Sequence, residues 1–312
     1  MLDKNLKAFL DDFNKNPPFP PDVSPNIIRS MIGTTEEPSV KAHLVRDILI
    51  PVEGGEIPAR LYIPEGEGPF PVCLFFHGGG FVGGSTLSYD APLHAACIDS
   101  GCIILSADYR LAPENKFPTC FEDCYAATKW ASENAASFCG DAERLAVSGV
   151  SAGGTLAGAV AVMARDRKGP KINYQILMYP VTDMARSVPS RSRIDYAEGY
   201  YHCETNGRIF DNFLVRTEED KIHPYLSLVL TPDLRGLPKA LVMTMEYDML
   251  RDEARVYADL MKEAGVEVEY YMAPGMTHGV FVWNSWCPAS KTVVNDYFAA
   301  ALKKNFINNI NA

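Results

Sequence analysis

A chain of 312 residues, 47% of them hydrophobic, is long enough to bury a full core, and α/β folds of this size commonly form one domain rather than two. Its 39 acidic residues against 29 basic ones leave a net charge of -10 with no basic run, which on electrostatic grounds excludes nucleic acid and anionic membrane surfaces as partners. The polar opening Met1-Leu2-Asp3-Lys4 does not read as a signal peptide, no apolar run is long enough to span a bilayer, and the 8 cysteines form neither a Cys-x-x-Cys pair nor a zinc spacing, so a cytoplasmic chain with reduced, mostly buried thiols and no metal site is expected.

In chain order, Leu2, Leu6, Phe9, Leu10 and Phe13 recur at helical spacing, and the helix they predict must stop before Pro17-Pro18. A second helix is predicted from Pro25 to Ile32. Both lie outside the strand-helix alternation that follows, and residues 1–44 are therefore expected to form one part of a lid. Strand-like runs at 45–52 and 59–63, with Gly54-Gly55 between them, predict an antiparallel entry into a sheet.

From Val72 onward, short continuous apolar runs alternate with helical patterns, the signature of a mostly parallel sheet covered by helices on both faces. The predicted strands are 72–76, 103–107, 145–148, 174–178, 241–245 and 268–272; the predicted helices include 121–134, 155–165, 252–264 and 292–306. Residues 185–220 break the alternation and carry Tyr196, Tyr200, Tyr201, Phe210 and Phe213. They are expected to form an inserted part of the lid, leaving 45–184 and 221–312 as the α/β domain. In such sheets the site forms beyond the carboxyl ends of the strands, so the segment after each strand matters most.

Gly149-Val150-Ser151-Ala152-Gly153 joins an apolar run to a small-residue helical run, which makes it a nucleophile elbow with the Ser151 hydroxyl exposed on a sharp turn. A serine needs a base to take its proton and a carboxylate to orient that base. Among the six histidines, His43 and His94 lie outside the strand-end loops and His202 and His223 within or at the edge of the insertion, whereas His278 sits before Gly279 just beyond a late strand. Asp248 is the preferred acid, with Asp183, which also follows a strand, and Asp252, which could cap a helix, as rivals. The order Ser151, Asp248, His278 is that of α/β-hydrolases. His77-Gly78-Gly79-Gly80 follows another strand, and the N–H groups of Gly79, Gly80 and Ala152 are the expected oxyanion donors, with His77 bracing the loop. Gly78 to Gly83 also fits the G-x-G-x-x-G pattern of a dinucleotide site, with Asp108 as a ribose-binding acid. That reading leaves Ser151, Asp248 and His278 without a role.

Through HGGGF, DYRLAPE, GVSAGG, YPVTD, EYDMLRDEA and THG, from about His77 to His278, the sequence resembles the hormone-sensitive-lipase family of α/β-hydrolases. The resemblance implies an eight-stranded α/β-hydrolase sheet with a helical lid, and hydrolysis of carboxylic esters with short acyl chains. It also implies that Asp108 and Glu114 brace the site, the alternative being a loop salt-bridged to Arg110. Val150 departs from the family, which usually has Asp or Thr there. The expected partner is a small-molecule ester, with no metal or cofactor required and a homodimer left open. Two rival functions share this fold: an amidase using the same triad, and a small-molecule receptor. Arg191, Arg193 and Arg208 are either binders of an acidic substrate group or solvated surface.

Overall fold

The central strands of this protein are apolar on both sides because both sides are covered. The computed structural model describes residues 1–15, 19–20, 22–32, 37–200 and 203–308, so Pro17-Pro18, Tyr201 and His202 lie outside the described residues. Helices α1 (Lys4–Phe13) and α2 (Pro25–Ile32) precede β1 (Leu44–Val52), β2 (Gly55–Ile63), β3 (Phe70–Phe76), α3 (Asp90–Ser100), β4 (Ile103–Ala107), α4 (Thr119–Asn134), β5 (Gly140–Val150) and α5 (Ala152–Asp166). There follow β6 (Tyr174–Met178), α6 (Arg191–Asp195), α7 (Glu204–Leu214), β7 (Lys239–Tyr247), α8 (Arg251–Glu263), β8 (Val268–Thr277) and a last helix, Asp296–Phe306.

The eight strands form one sheet in the order β1-β2-β4-β3-β5-β6-β7-β8. Among the described residues, only the β1·β2 and β2·β4 pairs are antiparallel, and the other strand pairs are parallel. Alternate residues of β3 point to opposite faces. Val72, Leu74 and Phe76 join α4, α5 and α8 in one buried cluster, while Cys73 and Phe75 join α3 and the last helix in the other. Fully burying each such side chain is worth about 1.5–3 kcal/mol, and this two-sided burial explains the continuous apolar strands.

The eight-stranded, mostly parallel α/β-hydrolase fold is the one expected, with local differences. Helix α3 has no signal in the sequence: Pro92 sits in its first turn, and its outward face carries Ala91, Ala95 and Ile98 with Asp99 its only exposed polar side chain, so no polar stripe marks a helical period. Strands β7 and β8 run past their predicted ends, because beyond an irregularity at Met245 the pairing resumes at Tyr247 and Thr277. Helix α5 begins at Ala152, three residues early, since packing rather than propensity holds Gly153 and Gly154 in it. The predicted helix 292–306 is split into a wide π turn, Lys291–Asn295, and the α-helix after it. At the amino end, Asp3 caps α1 through the N–H groups of Asn5 and Leu6, at 2.8 and 3.3 Å.

Candidate active site

The site begins with a backbone that only two glycines permit. Ser151 has φ 56° and ψ -123°, a conformation rare for a residue with a side chain and costing about 1–3 kcal/mol. Its N–H donates to the Met178 carbonyl at 2.9 Å, and its carbonyl accepts from Thr155 N–H at 3.1 Å as α5 starts. A Cβ on Gly149 would collide with the Gly153 carbonyl, and one on Gly153 with the Phe76 carbonyl. Strand β5 can therefore turn into α5 within one residue, which leaves the Ser151 side chain at the head of the helix.

Sheet register brings the other groups to it. Tyr247 on β7 pairs with Thr277 on β8, so the next residues, Asp248 and His278, leave the sheet side by side. His278 Nδ1 lies 2.8 Å from Asp248 Oδ2, and His278 Nε2 lies 2.8 Å from Ser151 Oγ. Asp248 is 2% exposed, and its other oxygen accepts the Leu250 N–H at 3.0 Å. An imidazole held in this way has its Nδ1 occupied and its Nε2 turned to the hydroxyl, the arrangement general-base chemistry requires. The rival acids are engaged elsewhere. Asp183 accepts from Ser187 Oγ at 3.0 Å and Val188 N–H at 2.8 Å; Asp252 accepts from Ser192 N–H at 2.7 Å and from the Arg251 side chain at 2.9 Å.

The pairing of Phe76 with Gly149 sets the loop after β3 beside the serine. Gly79 has φ 122°, and a side chain there would strike the Gly83 carbonyl. The Gly79 carbonyl accepts from Val82 N–H at 3.1 Å and Gly83 N–H at 3.0 Å, closing a tight turn. Ala152 is the first residue of α5, so its N–H has no acceptor within the helix. Gly79, Gly80 and Ser151 line one cleft, with Phe13, Phe19 and Phe210 over it, of about 200 Å³.

His77 is 1% exposed, its ring stacked on Tyr109 with centroids 4.2 Å apart, and its Nδ1 is 2.8 Å from the Gly78 carbonyl. Burial pushes the imidazole pKa down, against the opposing pull of Asp108, so His77 is a neutral buttress of the loop. Asp108 accepts the Thr86 N–H at 2.5 Å where that loop returns. With its carboxylate so engaged and the next α-helix delayed to Asp90, the dinucleotide alternative has neither its acid nor its helix opening. Glu114 does not pair with Arg110, contrary to the salt-bridge alternative. Arg110 binds Asp123 on α4 at 2.6 Å, while Glu114 binds Arg29 of α2 at 2.6 Å. Val150 is fully buried in the second cluster, where an apolar side chain is at home.

Of the arginines in the insertion, Arg191 and Arg208 are exposed and pair with Asp195 and Glu204. Arg193 is neither solvated nor free: it is 12% exposed and bridges Glu253, at 2.6 Å, to Glu204, at 2.9 Å. Arg186 continues the chain to Asp211. The aromatic residues also divide. Phe210 lines the cleft, whereas Tyr196 and Tyr200 pack against Tyr247. In α1, Phe13 reaches the cleft, but Leu6 and Leu10 are core, and Phe9 packs on Trp283 and Trp286.

Two further residues adjoin the site. Tyr179 has φ 38° and sets its ring edge against the His278 imidazole, centroids 4.9 Å apart; its place just after a strand was the available signal. Arg29, a lone cation in a short helix, had none.

The chain matches a family model for the alpha/beta hydrolase fold over residues 73–282. It is 37% identical over 252 residues to the carboxylesterase NlhH of Mycobacterium tuberculosis, covering 78% of this chain and 77% of that protein. It is 36% identical over 235 residues to an arylesterase of Saccharolobus solfataricus, covering 75% and 76%. Among solved structures, a hyperthermophilic esterase from the archaeon Pyrobaculum calidifontis superposes with a TM-score of 0.89 at 35% identity, covering 97% of this chain and 98% of that one. With this fold and this serine-centred cleft, the chain belongs to the α/β-hydrolase fold family, in its hormone-sensitive-lipase branch, and is a serine carboxylic ester hydrolase.

Proposed function

We propose that Ser151 is the nucleophile, His278 the general base and Asp248 its orienting acid, in the two-step hydrolysis of small esters with short acyl chains. The observation that carries this reading is the unbroken relay from Asp248 through His278 to Ser151, both links 2.8 Å long. As Ser151 Oγ attacks the ester carbonyl, its proton passes to His278 Nε2, and Asp248 stabilises the imidazolium through Nδ1–H. The negative charge on the former carbonyl oxygen is taken by the N–H groups of Gly79, Gly80 and Ala152, each worth on the order of 10²- to 10³-fold in turnover. Collapse breaks the bond to the alcohol oxygen, which receives the proton from His278 Nε2. Water then gives a proton to His278 Nε2 as it adds to the acyl group, and collapse breaks the bond to Ser151 Oγ, which takes that proton back from His278 as the acid leaves. His77, Gly78 and Asp108 hold the donor loop; Glu114 acts on it through Arg29.

Residues 1–44 and 185–220 serve as the two parts of a lid over the catalytic domain formed by 45–184 and 221–312. Supporting this division, Phe13, Phe19, Ile28, Met31 and Ile32 from the first part and Phe210 from the second line the cleft. A volume of about 200 Å³ falls below the roughly 300–1,000 Å³ of sites for drug-sized ligands, which favours short acyl chains. Seven buried, unpaired cysteines fit a reducing compartment, so the cytoplasm is the proposed location.

The test is turnover of nitrophenyl esters from acetate to palmitate by the parent enzyme and by Ser151→Ala. A loss of about 10⁴-fold or more in the variant is expected, with the parent fastest on the shortest chains. Residual activity within tenfold of the parent would remove Ser151 from its role, and a preference for palmitate would overturn the short-chain reading.

A further inference from the structure

One guanidinium ties α2 to the loop after β3. From α2, Arg29 Nε donates to the Val82 carbonyl at 2.8 Å, Nη2 donates to the Ala112 carbonyl at 3.0 Å, and Nη1 and Nη2 grip the two oxygens of Glu114 at 2.9 and 2.6 Å. The Val82 peptide so held belongs to the turn whose N–H groups, from Val82 and Gly83, clasp the Gly79 carbonyl. A second tie closes the ring, since Ala112 N–H donates to the Phe81 carbonyl at 2.9 Å. The helix also lies directly on the turn: a Cβ at Gly83 would meet Ile32 Cδ1 at 2.5 Å and Arg29 Cγ at 3.5 Å. Ile28, from the same helix, is packed in the cluster that holds Phe81 and Val82.

We infer that Arg29 is a positioning residue for the oxyanion hole, holding the turn from Gly79 to Gly83 through Val82 so that the donors are aligned only while α2 is docked. The inference rests on the reading above that Gly79 and Gly80 bind the oxyanion. The bidentate, charge-assisted fork to Glu114 fixes the guanidinium plane, and a lysine could not reproduce the four bonds. Ile28, Met31 and Ile32 of α2 wall the cleft. The element that closes over a substrate is therefore the one that sets the donor loop, and a substrate that lets α2 seat meets a complete hole.

The consequence is a rate effect separable from binding. Arg29→Met keeps the stem against Gly83 and deletes all four hydrogen bonds. Its turnover of nitrophenyl acetate should fall about 10- to 100-fold, as for a donor displaced but not removed, with KM changed less than about threefold. A trifluoromethyl ketone, which adds to the serine as an oxyanionic hemiketal, should bind more weakly by the same factor that kcat/KM loses. Arg29→Lys, able to reach one carbonyl, should fall between. Glu114→Gln, which loosens the fork without touching the loop, should lose several-fold in turnover with the same parallel loss of ketone affinity. Unchanged turnover and ketone affinity in folded Arg29→Met would overturn the inference, as would a rise in KM alone. If Arg29→Met does not fold, parent-like behaviour of Glu114→Gln overturns it. In either case an inert Ser151→Ala leaves the hydrolytic reading standing, whereas activity in that variant brings down both.

Discussion

At the scale of single residues, the identity of the acid is a question of reach. Asp183, Asp248 and Asp252 all lie at or near strand ends, but only the Asp248 carboxylate meets His278. The carboxyls of Asp183 and Asp252 are already filled by N–H and O–H donors from the insertion. Under the proposed mechanism, Asp248→Asn keeps the volume and one acceptor but turns an N–H toward Nδ1, which reverses the tautomer and leaves Nε2 unable to take the serine proton. Turnover is expected to drop about 10⁴-fold with unchanged thermal unfolding. Steady-state kinetics checks this, and activity near that of the parent would move the role to Asp183. The same scale explains the buried thiols. Burial drives Cys73, Cys97, Cys102, Cys120 and Cys124 well above the ordinary thiol range, so they pack as small apolar groups rather than react.

At the scale of elements, the turn from β5 into α5 is governed by backbone approach. The head of α5 lies so close to the end of β3 that position 153 has no room for a methyl group against the Phe76 carbonyl. Gly153→Ala must push the helix off the sheet or open the turn, and because the obstacle is backbone no side chain can give way. A destabilisation of about 3 kcal/mol or more is expected, with activity lost in parallel. Urea unfolding midpoints measure it; a variant within about 0.5 kcal/mol of the parent would mean that the turn adapts at little cost. The segment 185–220 is anchored by a different device. Arg193 bridges Glu204 at the start of α7 to Glu253, fully buried in α8, so α7 is tied to the α/β core by charge as well as by Ile209 and Leu214. Burial pushes the Glu253 carboxyl up to about 7 in spite of that pairing.

Across the whole molecule, the stretch leading into β1 is fastened to α3 by His94. Its Nδ1 accepts the Ala42 N–H at 2.9 Å, and its Nε2 faces Asp90 at 3.6 Å. Burial lowers the pKa of this imidazole, Arg60 and Lys41 acting in the same direction and Asp90 against it. The unfolded chain binds a proton here below about pH 6.5, before the native state does. The stabilisation is therefore fully present above that pH and is lost as pH falls below it, at no more than about 1.4 kcal/mol per pH unit for one proton. The cost of His94→Gln, from urea unfolding at pH 5, 6, 7 and 8, should be greatest at pH 7–8 and shrink toward pH 5. A cost that stays level or grows toward pH 5 would contradict this linkage.

Fold class and family are legible in the sequence alone, because both are written in local patterns. Apolar runs that need cover on two faces make a parallel sheet, and glycines around a serine between strand and helix admit one kind of turn. Helix α3 carries no such mark because the face it turns to solvent, Ala91, Ala95 and Ile98, is itself mostly apolar, which erases the period on which such reading depends. The remaining features arise from packing and register. The aspartate that faces His278 follows from the pairing of Tyr247 with Thr277, strands about 30 residues apart in the chain. The fate of Glu114 followed from the docking of α2, which drew it to Arg29 and left Arg110 to Asp123. The division of the aromatic residues between cleft and core followed from the packing of α1 and α7. Each of these depends on distances between residues far apart in sequence, which register and packing set and no local pattern encodes.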